Sequence, residues 1–464
     1  MTRTKTFSIF LIASIFAVSL GFSFLANIQP HVDAKAYNRI GWNLARGLGY
    51  IENRQNAHDP LRDDAIFRIG PGYEFFLAGL YRLFGGEARM DPLSYRDKLW
   101  VIWIAQAFLR ALTAWFVLKI ALCLFSYHNQ KHRLALAAAI IFGFLPDLII
   151  INGFILYETL LLFFGVGAVY FSLNYMTYRS DRSHRTYFVL FAASLFWALA
   201  ILTRPSELFA FLVLPAALVW QKNWRGALVS FFFPILLVGG WSLRNSLLYD
   251  QPLFTTTAGA YALWVGNNEK ATGGYDRPAL LREARERYHS TELSAVSINA
   301  VKHFVLDRPL KFFELQFKKA IMYASLIRPT GFWPELQHHQ IIQWLLIAAS
   351  AIGTAFLFIF AVTGALLFWH DRSSLRVAFL GFVIAKPLAV IPFYVETRYR
   401  YGIYPLLALL AAFPAVAFWH ADADRKKTIL KILGGVCILF LAMSAIDAWY
   451  SFDTIMTRLY ETFF

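Results

Sequence analysis

Gln29-Pro30-His31-Val32-Asp33-Ala34-Lys35-Ala36-Tyr37 lies one residue beyond the apolar run Phe7–Asn27. A run of about twenty apolar residues crosses the hydrocarbon core of a bilayer as a helix, so the chain enters this stretch where it leaves the lipid. A carboxylate at that depth is expected to be hydrated or paired, and it can meet a substrate that is itself partly in the membrane. Asp33 is therefore the first candidate for a catalytic residue.

Working outward, the apolar pattern recurs at Trp100–Phe125, Leu134–Ile151, Gly153–Met176, Tyr187–Thr203, Glu207–Trp220, Ala227–Tyr249, Ile341–Trp369, Leu375–Tyr394, Tyr401–Trp419 and Ile429–Tyr450. With the first run, this predicts about eleven transmembrane helices. Composition agrees: 58% of residues are hydrophobic and only 16% charged, and the mean hydropathy is +0.49. These values exclude a soluble globular protein and give an all-α polytopic membrane class. Cys123 and Cys437 both sit inside apolar runs, which supports neither a disulfide framework nor a cysteine metal site.

The net charge of +15 does not indicate nucleic acid, because the basic residues lie in short clusters between apolar segments, where they set topology and meet lipid head groups. Arg3, Lys5, Lys131, Arg133, Arg179, Arg182, Arg185, Lys222, Arg225, Arg372, Arg376, Arg425, Lys426 and Lys427 fall on one side. The short connections on the other side hold only Arg204, Arg398 and Arg400. The positive-inside rule then predicts a cytoplasmic amino terminus, with the first run kept as an anchor. Two long loops fall outside, residues 28–99 and residues 250–340, the second with polar helical stretches such as Ala279–His289. The whole of 1–464 reads as one integral membrane domain.

In this orientation Asp33, Arg68, Asp147, Glu158, Arg204, Glu207, Arg244, Glu396, Arg398 and Arg400 all fall in or near the outer face. Charge at a bilayer edge is costly unless paired or hydrated, so the concentration marks a substrate site or a set of structural ion pairs. Arg204 or Arg244 taken singly could be a snorkelling anchor, and Asp33 could merely cap a helix running on through Asn43.

The first loop contains a more specific pattern. Asp33 and Tyr37 are followed by Ala45-Arg46-Gly47-Leu48-Gly49-Tyr50 and then by the stretch from Arg68-Ile69-Gly70-Pro71-Gly72-Tyr73-Glu74 to Leu83-Phe84-Gly85. This order resembles the GT-C glycosyltransferases of the bacterial protein-O-mannosyltransferase and aminoarabinose-transferase type. It departs from them at Glu74, where a proline often follows the tyrosine, and at Gly70, where a second proline is common. Tyr157-Glu158-Thr159, Leu202-Thr203-Arg204-Pro205, Trp241-Ser242-Leu243-Arg244-Asn245 and Glu396-Thr397-Arg398-Tyr399-Arg400-Tyr401 continue the resemblance along the chain.

The resemblance implies transfer of a sugar from a polyprenyl-phosphate donor to a lipid, glycan or protein acceptor, on the extracytoplasmic face of the cell (inner) membrane. Physical chemistry then gives the residues roles. Arg68, Arg204, Arg244, Arg398 and Arg400 are candidates to bind the donor phosphate and neutralise it as it departs. Asp33 is the candidate base for the acceptor hydroxyl. Glu158 is the rival carboxylate; a retaining reaction would need it as nucleophile, whereas an inverting one leaves it to orient a substrate or an arginine. Tyr37, Tyr73 and Glu396 are expected to orient substrate. No metal site and no cofactor are predicted, since His31, His58, His338 and His339 show no ligand spacing. The competing class is a flippase for a lipid-linked sugar or an outer-leaflet glycan polymerase. A transporter should carry repeat symmetry and polar midplane groups, and apart from Arg110, Lys119 and Lys386 the helix interiors are uncharged.

Overall fold

The structure is a computed structural model that describes residues 2–59, 63–68, 70–84, 99–178, 184–328, 340–368 and 373–463. Gly85, Arg179, Arg182, His338, His339 and Arg372, which carry sequence expectations, lie outside the described residues. Among those described, the regular structure is helical throughout.

The first apolar run forms α1 (Thr2–Ala26), which stops at Asn27, where φ is 43°. A short connection leads into α2 (Asp33–Ala45), which buries Ala36, Tyr37, Ile40 and Trp42 and leaves Lys35 exposed. It lies against α3 (Gly72–Phe84). Gly41 permits this contact, since a Cβ there would stand 2.7 Å from Leu77 Cβ.

The bundle continues through α4 (Leu99–Leu124), α5 (Lys131–Gly143), α6 (Pro146–Asn152), α7 (Glu158–Tyr178), α8 (His184–Thr203), α9 (Glu207–Phe211), α10 (Val213–Trp220) and α11 (Trp224–Ser230). A π-helical stretch, Pro234–Gly239, then joins α11 to α12 (Gly240–Tyr249). The second long loop folds as α13 (Ala258–Gly266), α14 (Ala279–Arg287), α15 (Ser290–Asp307) and α16 (Pro309–Ala324). The chain closes with α17 (Gln340–Phe368), α18 (Ser374–Leu388), a 3-10 segment Thr397–Ile403, α19 (Tyr404–His420), α20 (Ala423–Tyr450) and α21 (Phe452–Phe463).

Eight described stretches are long and apolar enough to cross a bilayer, and a ninth counts if α5 and α6, bent by 53°, form one span. The other two expected spans are shorter. Glu207–Trp220 is divided at Leu212 into α9 and α10, and α18 has 15 residues with Pro387 inside its last turn. A proline removes an intrahelical hydrogen bond and crowds the preceding turn, so hydropathy alone overstates the length of such segments.

The spans in α4, α7 and α19 are the most enclosed, whereas those in α1 and α20 present most of their surface outward. Small residues set the close crossings, as is usual where lipid removes the hydrophobic drive between helices. A side chain at Gly364 of α17 would strike the Leu410 carbonyl of α19. Asp147, buried at the head of α6, accepts from Thr354 at 2.8 Å, from Tyr404 at 3.3 Å and from Ser350. Asp147 thus ties α6 to α17 and α19.

Candidate active site

Asp33 opens α2 without capping it. Val32 is the N-cap and no side-chain cap bond forms. The carboxylate instead accepts from Arg398, with Oδ2 2.6 Å from Nη2. The same guanidinium donates from Nε to Glu396 Oε2 at 3.1 Å and stands 3.9 Å from Glu158 Oε1. Residues 33, 158, 396 and 398 therefore converge at one end of the bundle, although up to 365 positions separate them in sequence.

The four differ in exposure. The Glu158 side chain is 2% exposed and that of Arg398 14%, against 31% for Asp33 and 28% for Glu396. Neither oxygen of Glu158 has a hydrogen-bond partner among the described residues. A buried, unsatisfied carboxylate is expensive, and Arg398 is its near counter-charge.

Arg204, just past α8, lies with its guanidinium 4.3 Å from the Tyr399 ring centre and 5.9 Å from that of Tyr157. No described carboxylate pairs with it within 4.0 Å, so its charge is met here by ring faces. Burial works against this charge, but Tyr157, Tyr399 and Glu207 more than offset it and hold the guanidinium above its ordinary proton affinity. Tyr399 also accepts or donates across 3.0 Å to Tyr394.

The Gly70-Pro71-Gly72 turn brings the first loop onto the two residues before this arginine. A Cβ at Gly72 would lie 2.6 Å from Thr203 Oγ1 and 2.8 Å from its backbone nitrogen, and one at Gly70 would strike the Leu202 carbonyl. The two stretches read separately in the sequence thus form one contact, and bulkier residues at 70 or 72 would push α3 off the end of α8.

The remaining expected residues are distributed around this core. Tyr37 is buried beside Asp33, edge-on to Tyr73 at 5.9 Å and to Tyr157 at 6.2 Å. Burial, then Asp33, drive its hydroxyl well above the ordinary tyrosine value, so it is a neutral hydrogen-bonding group. Tyr73 donates to Gln106 at 2.8 Å, and Gln106 in turn holds the carbonyls of Asn152 and Phe154. Its hydroxyl is thus engaged in joining α3 to α4.

Arg68 pairs with Glu52 through Nε at 2.9 Å and through Nη2. Glu52 is presented by Asp63, whose carboxylate accepts from the backbone nitrogens of Glu52, Asn53 and Ala65. Arg244 bonds Asn245 Oδ1 at 2.8 Å and stacks 4.9 Å over Trp241. Arg400 is fully buried and donates to the carbonyls of Ser325 at 2.5 Å and Arg328 at 2.7 Å. The structure separates it from Arg398: alternate positions of the 3-10 segment point apart, and Arg400 fastens the end of the second loop instead of facing the carboxylates.

Sequence reasoning passed over Glu52, Tyr399 and Lys319. Lys319 of α16 donates to Asn267 Oδ1 at 2.9 Å and to the Pro392 carbonyl at 3.3 Å, four residues before Glu396. Burial lowers its ammonium to about 7. A lysine inside a polar helix gives no sequence signal of this kind. Among the described residues no three His, Cys, Asp or Glu side chains are arranged to hold a metal ion.

Of the solved structures, two oligosaccharyltransferases match over almost the whole chain. The archaeal AglB from Archaeoglobus fulgidus, in complex with an inhibitory peptide and a dolichol-phosphate, is 14% identical over 99% of this chain and 56% of its own, with a TM-score of 0.52. The apo form of the Archaeoglobus fulgidus enzyme gives 14% identity over 98% and 56%, with a TM-score of 0.53. The chain has the GT-C fold. This GT-C chain spans about half the length of those oligosaccharyltransferases. The family model for dolichyl-phosphate-mannose-protein mannosyltransferases matches residues 74–239 of it, from α3 into the π-helical stretch. ArnT from Cupriavidus metallidurans bound to undecaprenyl phosphate is 15% identical over 88% of this chain and 78% of its own, with a TM-score of 0.38. No curated protein matches the GT-C chain by sequence.

Proposed function

We propose that this protein is a membrane glycosyltransferase that moves a sugar from a polyprenyl-phosphate donor to a lipid, glycan or protein acceptor on the extracytoplasmic side, with inversion at the anomeric carbon. The observation that carries the reading is the seating of Asp33 on Arg398, beside Glu158 and Glu396, at the bundle end where Arg204 lies without a described carboxylate partner. The mannosyltransferase model over 74–239 supports the reaction class.

In this reading the acceptor oxygen attacks the anomeric carbon and the bond from that carbon to the phosphate oxygen breaks. The electron pair stays on the phosphate and the acceptor proton passes to Asp33. Arg398 and Arg204, with Arg244 and Arg68 on the first-loop side, meet the charge that grows on the leaving phosphate. Glu158 orients Arg398, and Tyr37 lines the approach to Asp33. A single displacement needs one base and no carboxylate nucleophile. A flippase would instead need polar groups through the midplane. The buried pair of Glu207 and Lys386 is neutralised internally.

The test is turnover by purified Asp33→Asn enzyme with a prenyl-phosphate sugar and membrane extract as acceptor. Asn keeps size and removes basicity, so turnover should fall by roughly 10²–10⁴. Wild-type turnover would refute Asp33 as the base.

A further inference from the structure

Arg398 is engaged by three carboxylates. Its Nη2 donates to Asp33 Oδ2 at 2.6 Å, so a lone pair needed for the acceptor proton is occupied by a charge-assisted hydrogen bond. Its Nε contacts are separate, to Glu396 at 3.1 Å and Glu158 at 3.9 Å. The side chain therefore has a pivot at Nε, hydrogen-bonded to Glu396 with the Glu158 charge 3.9 Å away, and an outer nitrogen that Asp33 holds. Asp33 is the most exposed of the three acids, and Glu158 the most enclosed.

A phosphodiester brought against Arg204 comes close to Arg398, since both guanidiniums border the Tyr399 ring, 4.3 Å and 5.5 Å from its centre. Phosphate is a strong bidentate acceptor for guanidinium, and it competes with Asp33 for Nη2. We propose that Arg398 passes from Asp33 to the donor phosphate on binding, so that the base is released only when a donor is in place. This rests on the glycosyl-transfer reading above.

The sequence of events balances. With the donor bound, Nη2 bonds a phosphate oxygen and Asp33 Oδ2 is free. The acceptor proton goes to Asp33 as the sugar leaves, and the electron pair of the broken bond remains on the phosphate beside Arg398 and Arg204. When the prenyl phosphate departs, Asp33 gives its proton to water and takes Nη2 back. Glu396 and Glu158 keep Nε in place throughout, which makes them positioning residues for the exchange.

The experiment is a binding titration with farnesyl phosphate, read by intrinsic fluorescence in detergent, on wild type, Asp33→Asn, Asp33→Ser and Glu396→Gln. Losing the competitor at Nη2 should tighten binding by roughly three- to tenfold in both Asp33 variants, the worth of a partly exposed ion pair. Two separate substitutions guard against a folding defect in one. Glu396→Gln removes an equal charge from Nε and should gain less than half as much; equal tightening would mean a general charge effect and would overturn the exchange. Unchanged or weaker binding in the Asp33 variants, with turnover lost, would also overturn it and leave the glycosyl-transfer reading standing. Retained turnover in those variants would overturn that reading itself.

Discussion

Glu207 at the head of α9 and Lys386 near the end of α18 form an ion pair inside the bundle, with side chains 5% and 8% exposed. Gly165 of α7 and Gly402 of the 3-10 segment border it: a Cβ at Gly165 would stand at van der Waals contact, 3.6 Å, from both Glu207 Oε2 and Lys386 Nζ. The surroundings are otherwise Leu161, Leu162, Val166, Val169 and Leu406. Removing one partner leaves a lone charge in that apolar setting, so Glu207→Gln or Lys386→Met should each destabilise by about 3–5 kcal/mol. The double variant strands no charge and should lie within about 1 kcal/mol of wild type, because attraction within a buried pair largely offsets its desolvation. The expected coupling is therefore at least about 5 kcal/mol, above the usual range for contacting residues. Chemical unfolding of the four proteins in mixed micelles closes the cycle. Arg204 lies three residues before Glu207 and Arg398 four before Gly402, so turnover should follow the same order: low in both single variants and recovered in the double. Additive losses, or a double variant worse than either single one, would refute the view that the pair matters as a neutral unit.

Glu74 of α3 is fully buried, and burial raises its carboxyl to about 8, with Arg68 and Tyr50 pulling the other way. The unfolded chain ionises this group near its ordinary value of 4.5, so wild-type stability should decline from about pH 4.5 to pH 8, by at most about 5 kcal/mol, and level off above that. Glu74→Gln removes this dependence, and melting curves at pH 5 and pH 8 would differ less than in wild type; an unchanged difference would show that the carboxyl is hydrated and ordinary. For orientation, a cysteine at Thr272 in a background lacking Cys123 and Cys437 should react with an impermeant maleimide on intact cells. Labelling only after permeabilisation would place the second loop, and with it Glu396 and Arg398, on the cytoplasmic side.

Membrane class and the neighbourhood of the site were legible along the chain, because both follow from local chemistry. Hydrophobic runs must be helical in lipid, where no water satisfies the backbone, and acids and arginines accumulate where those runs end. Asp33, Glu158, Arg204, Glu396 and Arg398 could be picked out on that ground alone. The short α9–α10 pair and α18 were harder, since a hydropathy average does not register a break at Leu212 or a proline at 387.

Pairing was decided only by tertiary structure. Nothing local makes Arg398 the partner of Asp33, 365 residues away, and Arg400 the holder of the Ser325 and Arg328 carbonyls; in a 3-10 segment two positions change the direction of a side chain. Nor could the sequence tell that Arg68 is met by Glu52 while Arg204 rests on Tyr399. The chain by itself determined which residues are too polar to enter the lipid and therefore collect at its edge. Which of those charges meet, and which find no opposite charge among the described residues, depended on helix packing, because ion pairing acts over a few ångströms and only the folded bundle sets distances at that scale.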